Sequence, residues 1–137
     1  MIRALLDTNV ILDALLAREP VGGQVRAVWE AHEDGHFTGY ICAITPPTVF
    51  YVARKAVGKS QAFKMTGGLA ETFEVCAVDK GILQSAMRLE MPDFEDAIQS
   101  ASALAAGLDF IITSDLKDFK NSPVKAISPA EFLKQLG

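Results

Sequence analysis

The sequence predicts an α/β fold in which a mostly parallel sheet of about five strands is covered by helices on both faces. The run Ala4-Leu5-Leu6 is entirely apolar and ends abruptly at Asp7, which is typical of a strand buried on both faces in the centre of a parallel sheet. Further along, β-type runs alternate with helix-type periodicity, and this alternation favours parallel strands joined by helices. The chain has 137 residues, half of them hydrophobic, which is the size of a single domain.

The predicted strands are short apolar runs bounded by turn residues, at 4–6, 37–43, 73–78, 110–113 and 124–127. Apolar spacing predicts helices at residues 10–17, 21–34, 45–57, 80–89 and 93–106, and a last helix that opens at residue 128. Another helix restarts after residues 58–60, and the glycines at 67–68 are expected to interrupt or loosen it. Right-handed crossovers then place the carboxyl ends of all strands at one edge of the sheet.

Capping residues indicate where several helices begin. Thr8 or its neighbour is the predicted N-cap of the first helix. Thr45 is the candidate cap of the third, with Pro46 at the first helical position. Ser128 and Glu131 have the spacing of a capping box at the start of the last helix.

Composition narrows the class of protein. No apolar run has the roughly 18 residues of a membrane span, and no basic and apolar leader opens the chain, so we expect a cytoplasmic protein without a membrane partner. Cys42 and Cys76 lie in apolar stretches without metal-like spacing and are predicted to be reduced core residues. His32 and His36 flank a turn without a third ligand, which favours surface positions over a zinc site.

Charge is unevenly distributed along the chain. The net charge is −4, whereas a passive nucleic-acid binder is usually basic. Residues 35–70 contain no Asp or Glu, yet they include Arg54, Lys55, Lys59 and Lys64. An acid-free basic segment suits contacts with the phosphates of an anionic polymer such as RNA. A solvated helix face that happens to lack acids explains the pattern equally well.

Carboxylates come from three segments at the predicted carboxyl edge. They are Asp7 after the first strand, Asp93, Glu95 and Asp96 at the start of the small-residue helix, and Asp115 and Asp118 after the fourth strand. Singly, each can be explained as a cap, as a partner of the helix dipole or as a turn residue. Jointly they would repel one another, and burying unpaired carboxylates is costly. A hard divalent cation such as Mg²⁺ resolves this conflict.

The acidic segments resemble a known family. LDTNVIL at residues 6–12, FEDAIQ at 94–99 and ITSDLKDF at 112–119 look like the three acidic motifs of the PIN domain, in the family's order. The resemblance covers essentially the whole chain. It implies a five-stranded parallel sheet in a three-layer α/β/α sandwich and a ribonuclease that depends on Mg²⁺ or Mn²⁺. Many family members of this size are VapC-type toxins, which are paired with an antitoxin protein and form dimers.

The resemblance also assigns roles to residues. Asp7, Asp96 and Asp115 match the acids that hold the metal and serve catalysis in the family. Asp93 and Asp118 are possible auxiliary ligands. The positions that match supporting polar residues are Asn9, Thr113 and Ser114.

Thr48 departs from the family pattern, because an acid is expected near the start of the helix after the second strand. A hydroxyl is a weaker ligand than a carboxylate, so Thr48 favours a single weakly bound metal. It also leaves open a PIN-like module that binds RNA or protein with weakened or lost catalysis.

A second alternative is a haloacid-dehalogenase-like phosphatase, with Asp7 as nucleophile and Asp115 and Asp118 on Mg²⁺. Against it, Asn9 stands where that family usually has its second Asp, and the chain is short. A P-loop at residues 58–60 is excluded, because Ala53 replaces the required glycine.

Overall fold

The computed structural model describes residues 1–20 and 22–137. The strands are β1 (Arg3–Leu6), β2 (Thr38–Cys42), β3 (Glu74–Cys76), β4 (Phe110–Ile112) and β5 (Ala126–Ile127). The helices are α1 (Thr8–Leu15), α2 (Gly22–Glu33), α3 (Thr45–Val57), α4 (Lys59–Thr72), α5 (Lys80–Met87), α6 (Phe94–Ala105) and α7 (Pro129–Leu136), with a 3₁₀ turn at Leu116–Phe119.

All five strands are parallel, in the order β3-β2-β1-β4-β5. The first strand is therefore central, as its apolar run predicted, and Leu5 lies opposite both Tyr40 and Ile111. The backbone N–H of Asp7 continues the ladder by donating to the carbonyl of Ile112 at 3.0 Å. The predicted fold class is confirmed, and the residues that follow β1 and β4 lie side by side.

Two apolar cores, one on each face of the sheet, make three layers. Successive side chains of a strand point to opposite faces, so Ala4 and Leu6 belong to one core and Leu5 to the other. The first core joins β1 to α1, α2, α3, α4 and α7, and the second joins it to α5 and α6. The small residues of α6, such as Ala97 and Ala101, are buried against the sheet. Close approach of α6 brings its first turn to the carboxyl edge.

Local boundaries differ from the sequence-based prediction in several places. Strands β3 and β5 are shorter than predicted, because the flanking apolar residues pack without pairing in the ladder. The expected interruption at residues 67–68 is wrong: α4 is continuous through both glycines. Leu69 of α4 is buried in the first core, and this packing outweighs the low helix propensity of glycine. Val21, the predicted first residue of the second helix, lies outside the described residues.

The surface position predicted for His32 is also wrong. Its ring is half-buried and stacks on Phe73 with ring centroids 4.7 Å apart. The Gly39 N–H donates to Nδ1 at 2.8 Å, which makes Nδ1 an acceptor, so Nε2 donates to the Thr72 carbonyl at 2.6 Å. A Cβ on Gly39 would lie 3.0 Å from the Phe73 ring, so this close packing requires glycine.

Cys42 and Cys76 are buried and free, in agreement with the prediction. They are nevertheless register partners on β2 and β3. None of the helices within the described ranges is long and apolar enough to cross a membrane.

Candidate functional site

Asp7 is the centre of the site and is only 2% exposed. It is the last residue before α1, so its carboxylate lies at the carboxyl end of the central strand. Gln99 Nε2 donates to Oδ1 at 2.9 Å, and the Thr113 hydroxyl donates to Oδ2 at 2.9 Å. Both carboxylate oxygens are therefore held by donors from neighbouring elements, α6 and the end of β4.

The network fixes the direction of each of these hydrogen bonds. The Thr8 backbone N–H, which can only donate, bonds to Gln99 Oε1 at 3.0 Å, so the amide nitrogen of Gln99 faces Asp7. The Thr113 hydroxyl accepts from the backbone N–H of Asp115 at 3.0 Å and can therefore turn its hydrogen toward Asp7. The loop after β4 is thus tied to the buried carboxylate.

The hydroxyl of Thr8 connects the site to α3, the first helix of the basic segment. Thr8 Oγ1 lies 2.8 Å from Thr45 Oγ1, and both residues are buried. Thr45 is the first residue of α3. The start of α3 is therefore part of the polar network, and α3 leads away from the site.

Burial makes the charge on Asp7 unfavourable. Desolvation raises the pKa of Asp7 above its ordinary value of 3.8, and the charge of Asp115 adds to this. The hydrogen bonds from Gln99 and Thr113 offset part of the rise. The backbone N–H of Asn9 also lowers the pKa of Asp7. The Asp7 side chain does not cap α1 with a hydrogen bond.

Asp96 is the most strongly perturbed acid at the edge. Desolvation, followed by repulsion from Asp7, Asp93, Asp118 and Asp115, raises its pKa to about 7. All the charged groups that act on it are carboxylates. Five of the six acids predicted at this edge, all except Glu95, are therefore close enough to interact electrostatically, and this mutual repulsion is what a bound cation would relieve.

The remaining acids have distinct surroundings. Asp93 is the N-cap of α6, and its Oδ1 accepts from the Asp96 backbone N–H at 3.0 Å. Asp115 and Asp118 are exposed in and beside the 3₁₀ turn. Asp13 was not predicted to have a role, and its Oδ1 lies 3.7 Å from Nη1 of Arg18. Burial raises the pKa of Asp13, and the charge of Asp115 adds a smaller rise, while Arg18 lowers it.

The donor set suits a hard divalent cation. Within residues 1–20 and 22–137, no three His, Cys, Asp or Glu side chains converge closely enough to hold a metal by themselves. Mg²⁺ usually takes only one or two protein carboxylates and keeps several waters, so a preformed cage of acids is not required. The oxygen chemistry and the uncompensated repulsion on Asp96 both fit such an ion.

Several predicted supporting residues contribute little through their side chains. Thr48 donates its hydroxyl to the Ile44 carbonyl of its own helix turn at 3.0 Å, while Thr45 reaches the network instead. Asn9 and Ser114 are exposed.

The predicted basic residues are all exposed on α3 and α4, and they are Arg54, Lys55, Lys59 and Lys64.

Sequence reasoning overlooked Gln99, which is 1% exposed. The available signal was its position: it is the one large polar residue in the small-residue stretch of α6, one turn after Asp96. Residues three apart share a helix face, so Gln99 and Asp96 face the same region.

Comparison with known proteins identifies the family. The PIN domain family model matches residues 3–117. No curated protein matches the sequence.

Solved structures resemble the fold along nearly the whole chain. A VapBC2 structure from Rickettsia felis, bound to a DNA fragment from its promoter, has a TM-score of 0.73 at 17% identity and covers 93% of this chain and 98% of that chain. A toxin–antitoxin complex from Klebsiella pneumoniae has a TM-score of 0.67 at 26% identity and covers 92% and 97%. VapC20 from Mycobacterium tuberculosis, described as a toxin that cleaves the sarcin–ricin loop, has a TM-score of 0.65 at 12% identity and covers 79% and 86%. The sequence match, which spans most of the chain, and the shared architecture show that this chain belongs to the PIN domain family.

Proposed function

We propose that this PIN domain is a ribonuclease that hydrolyses RNA phosphodiesters with the aid of Mg²⁺ or Mn²⁺. The observation that supports it most is the buried Asp7 carboxylate, which two donors hold beside a second acid, Asp96. The charged groups that act on Asp96 are other carboxylates, which repel it. A protein keeps such an unfavourable arrangement where it serves a function. Family membership supports the same proposal.

In this proposal Asp7, Asp96 and Asp115 hold the metal, directly or through its bound waters, with Asp93 and Asp118 as auxiliary acids. A bound divalent cation supplies a more acidic water and neutralises charge that develops on the phosphate. Gln99 and Thr113 hold the Asp7 carboxylate, and the Asp115 N–H fixes the Thr113 hydroxyl. Burial and the neighbouring carboxylates raise the pKa of Asp96 to about 7, and a cation bound beside it would favour the ionised form.

The basic hairpin of α3 and α4 is the proposed RNA surface. Arg54, Lys55, Lys59 and Lys64 are exposed there, and no acid lies between residues 35 and 70. Because α3 begins beside Thr8 at the site, the hairpin can bind phosphates that flank the cleaved bond. Such contacts position RNA without reading its sequence.

An antitoxin protein and a second copy of the chain are proposed partners. The solved structures with this fold include DNA-bound VapBC proteins from Rickettsia felis and Salmonella typhimurium and a toxin–antitoxin complex from Klebsiella pneumoniae. Large apolar side chains such as Tyr51 and Phe63 are 62% and 59% exposed, which is typical of surfaces that bind a protein partner. We propose that the protein acts on RNA in the cytoplasm.

The decisive experiment measures Mn²⁺-dependent cleavage of RNA by Asp7→Asn, Asp96→Asn and Asp115→Asn. Each variant should remain folded and lose cleavage, because an amide oxygen is a weaker ligand for a hard cation. Asp34→Asn is the matched control, since Asp34 is exposed just before β2, at the opposite edge of the sheet. Wild-type cleavage rates in Asp96→Asn would overturn the site assignment.

Thr48 supports one competing function, a PIN module that binds RNA or protein without cutting RNA. Titrating Mg²⁺ and Mn²⁺ with RNA and a small phosphoester side by side separates the possibilities. RNA binding without cleavage favours the binding module, whereas hydrolysis of the small phosphoester alone favours a phosphatase.

A further inference from the structure

The buried side chain of Gln99 contacts two of the proposed metal-holding acids. Nε2 donates to Asp7 Oδ1 at 2.9 Å and lies 3.5 Å from Asp96 Oδ1. The second contact is at the limit of a hydrogen bond, so the bond to Asp7 is the stronger one. A single NH₂ group therefore lies between two carboxylates that repel each other.

The other end of the amide anchors Gln99 to α1. Oε1 accepts from the Thr8 backbone N–H at 3.0 Å, and the Thr8 hydroxyl lies 3.4 Å away and continues to Thr45. These contacts exclude the flipped amide, because the flip would place an NH₂ group against a backbone donor. Gln99 thus has one available orientation.

Only an amide meets all the demands of this position. A leucine would leave the Thr8 N–H without a partner, and a glutamate would add a carboxylate beside Asp7. A lysine or arginine would hold the acids by neutralising them, and its charge would then oppose a divalent cation. Glutamine donates to the acids without adding charge, so they stay in place and remain free to attract a cation.

We propose that Gln99 is a positioning residue that sets the orientation of the Asp7 carboxylate and its spacing from Asp96 for cation binding. This proposal rests on the metal-dependent function proposed above. Partners that orient metal ligands typically account for about 10- to 100-fold in metal affinity or activity. Removing the amide should therefore weaken Mn²⁺ binding at least about tenfold.

The test compares Gln99→Leu with Ser102→Ala, a control on the same helix. Ser102 is also buried, but its hydroxyl donates to the Gln99 backbone carbonyl and to Cys42 Sγ and not to the proposed metal-holding acids. Mn²⁺ affinity is measured by calorimetry at a temperature where circular dichroism shows both variants folded. We expect weaker Mn²⁺ binding and a lower kcat in Gln99→Leu, an unchanged KM for RNA, and wild-type values in Ser102→Ala.

A second variant keeps the test decisive if Gln99→Leu does not fold. Gln99→Met loses the same hydrogen bonds, but its flexible side chain fills the space with less strain. If a folded Gln99 variant binds Mn²⁺ as Ser102→Ala does, or if the wild type binds no Mn²⁺, the proposal is overturned. If the wild type binds Mn²⁺ but cuts no RNA, the proposed ribonuclease function fails while the Mn²⁺ comparison still decides the role of Gln99.

Discussion

The carboxyl edge of the sheet and the α3–α4 hairpin have opposite charge, and neither neutralises the other. At the edge, four carboxylates repel Asp96. On the hairpin, four cations are exposed within residues 35–70, which contain no acid, and the first acid, Glu71, comes at the end of α4. The ion pairs formed by the described residues are Arg18–Asp13 and Lys134–Glu131, and neither joins these two regions. The fold thus keeps a surplus of each sign available for a binding partner.

The difference between the two regions is one of burial as well as sign. Asp7 and its neutral donors are buried, so the negative charge of Asp7 is poorly screened and is unfavourable to the free protein. The hairpin cations lie in solvent, where salt screens them and they cost little stability. In the proposed function, the edge therefore binds a single cation at a defined place, and the hairpin binds a polyanion over an extended surface.

The largest expected effect is a pH dependence that belongs to the acid edge alone. Because the pKa of Asp96 rises from 3.8 to about 7 on folding, the folded state binds more protons between these pH values. The contribution of Asp96 to the free energy of unfolding is fully present below pH 3.8 and is lost as the pH rises through about 7. Burial raises the pKa of Asp7 in the same direction.

Melting temperatures in EDTA measure this effect. Asp96→Asn should lose much of the fall in stability with rising pH, and saturating Mn²⁺ should reverse the fall in the wild type. An identical pH dependence of Tm in wild type and Asp96→Asn would mean that the neighbouring acids do not raise the pKa of Asp96. The hairpin variant Lys55→Gln, as control, should leave the pH dependence unchanged.

An intermediate effect is expected on the hairpin. Changing Lys55 and Lys59 to Gln should weaken RNA binding and reduce its salt dependence. If each lysine contacts one phosphate of single-stranded RNA, the slope of log affinity against log salt should flatten by about 1.4. Fluorescence anisotropy with a labelled RNA in EDTA measures the slope without cleavage. An unchanged slope would leave these lysines as ordinary surface charges.

The smallest effect should come from Thr48→Asp, which adds an acid where the two regions meet. An acid in the first turn of α3 should add about 0.3–1 kcal/mol through the helix dipole alone. Binding of the cation near this turn should add a further, Mn²⁺-dependent rise in Tm. Equal rises with Mn²⁺ and with EDTA would show that only the dipole acts and that Thr48 is remote from the metal.

The position of the acids at one edge of the sheet can be predicted from the sequence, because it depends only on the strands being parallel. In a parallel sheet the residues that follow the strands share one edge, so alternation predicts that Asp7 and Asp115 lie at the same edge. The pairing of β1 with β4, which brings the two segments side by side, is seen only in the structure. The Asp93 cap also follows from local chemistry, and the structure has it. Assignment of metal-holding and catalytic roles to these acids remains a prediction.

Features that depend on three-dimensional packing were not predictable in the same way. Whether Thr45 or Thr48 reaches the network is decided by how α3 is rotated about its axis, which tertiary contacts set. His32 looked like a surface residue because its partners, Gly39 and Thr72, are distributed along the chain. Gln99 gave only the weak signal of a polar residue in a small-residue helix.

The central position of the first strand has a consequence for folding. Asp7 has two hydrogen-bond partners, Gln99 and Thr113, which lie 92 and 106 residues further along the chain. Contacts between such distant residues form late, because a long loop must close before any of them is gained. During synthesis, which proceeds from the amino terminus, the first strand exists long before the residues that complete its site. A nascent chain therefore has the Asp7 carboxylate long before Gln99 and Thr113, and the hydrogen bonds that hold this carboxylate can form only after residue 113 has been made.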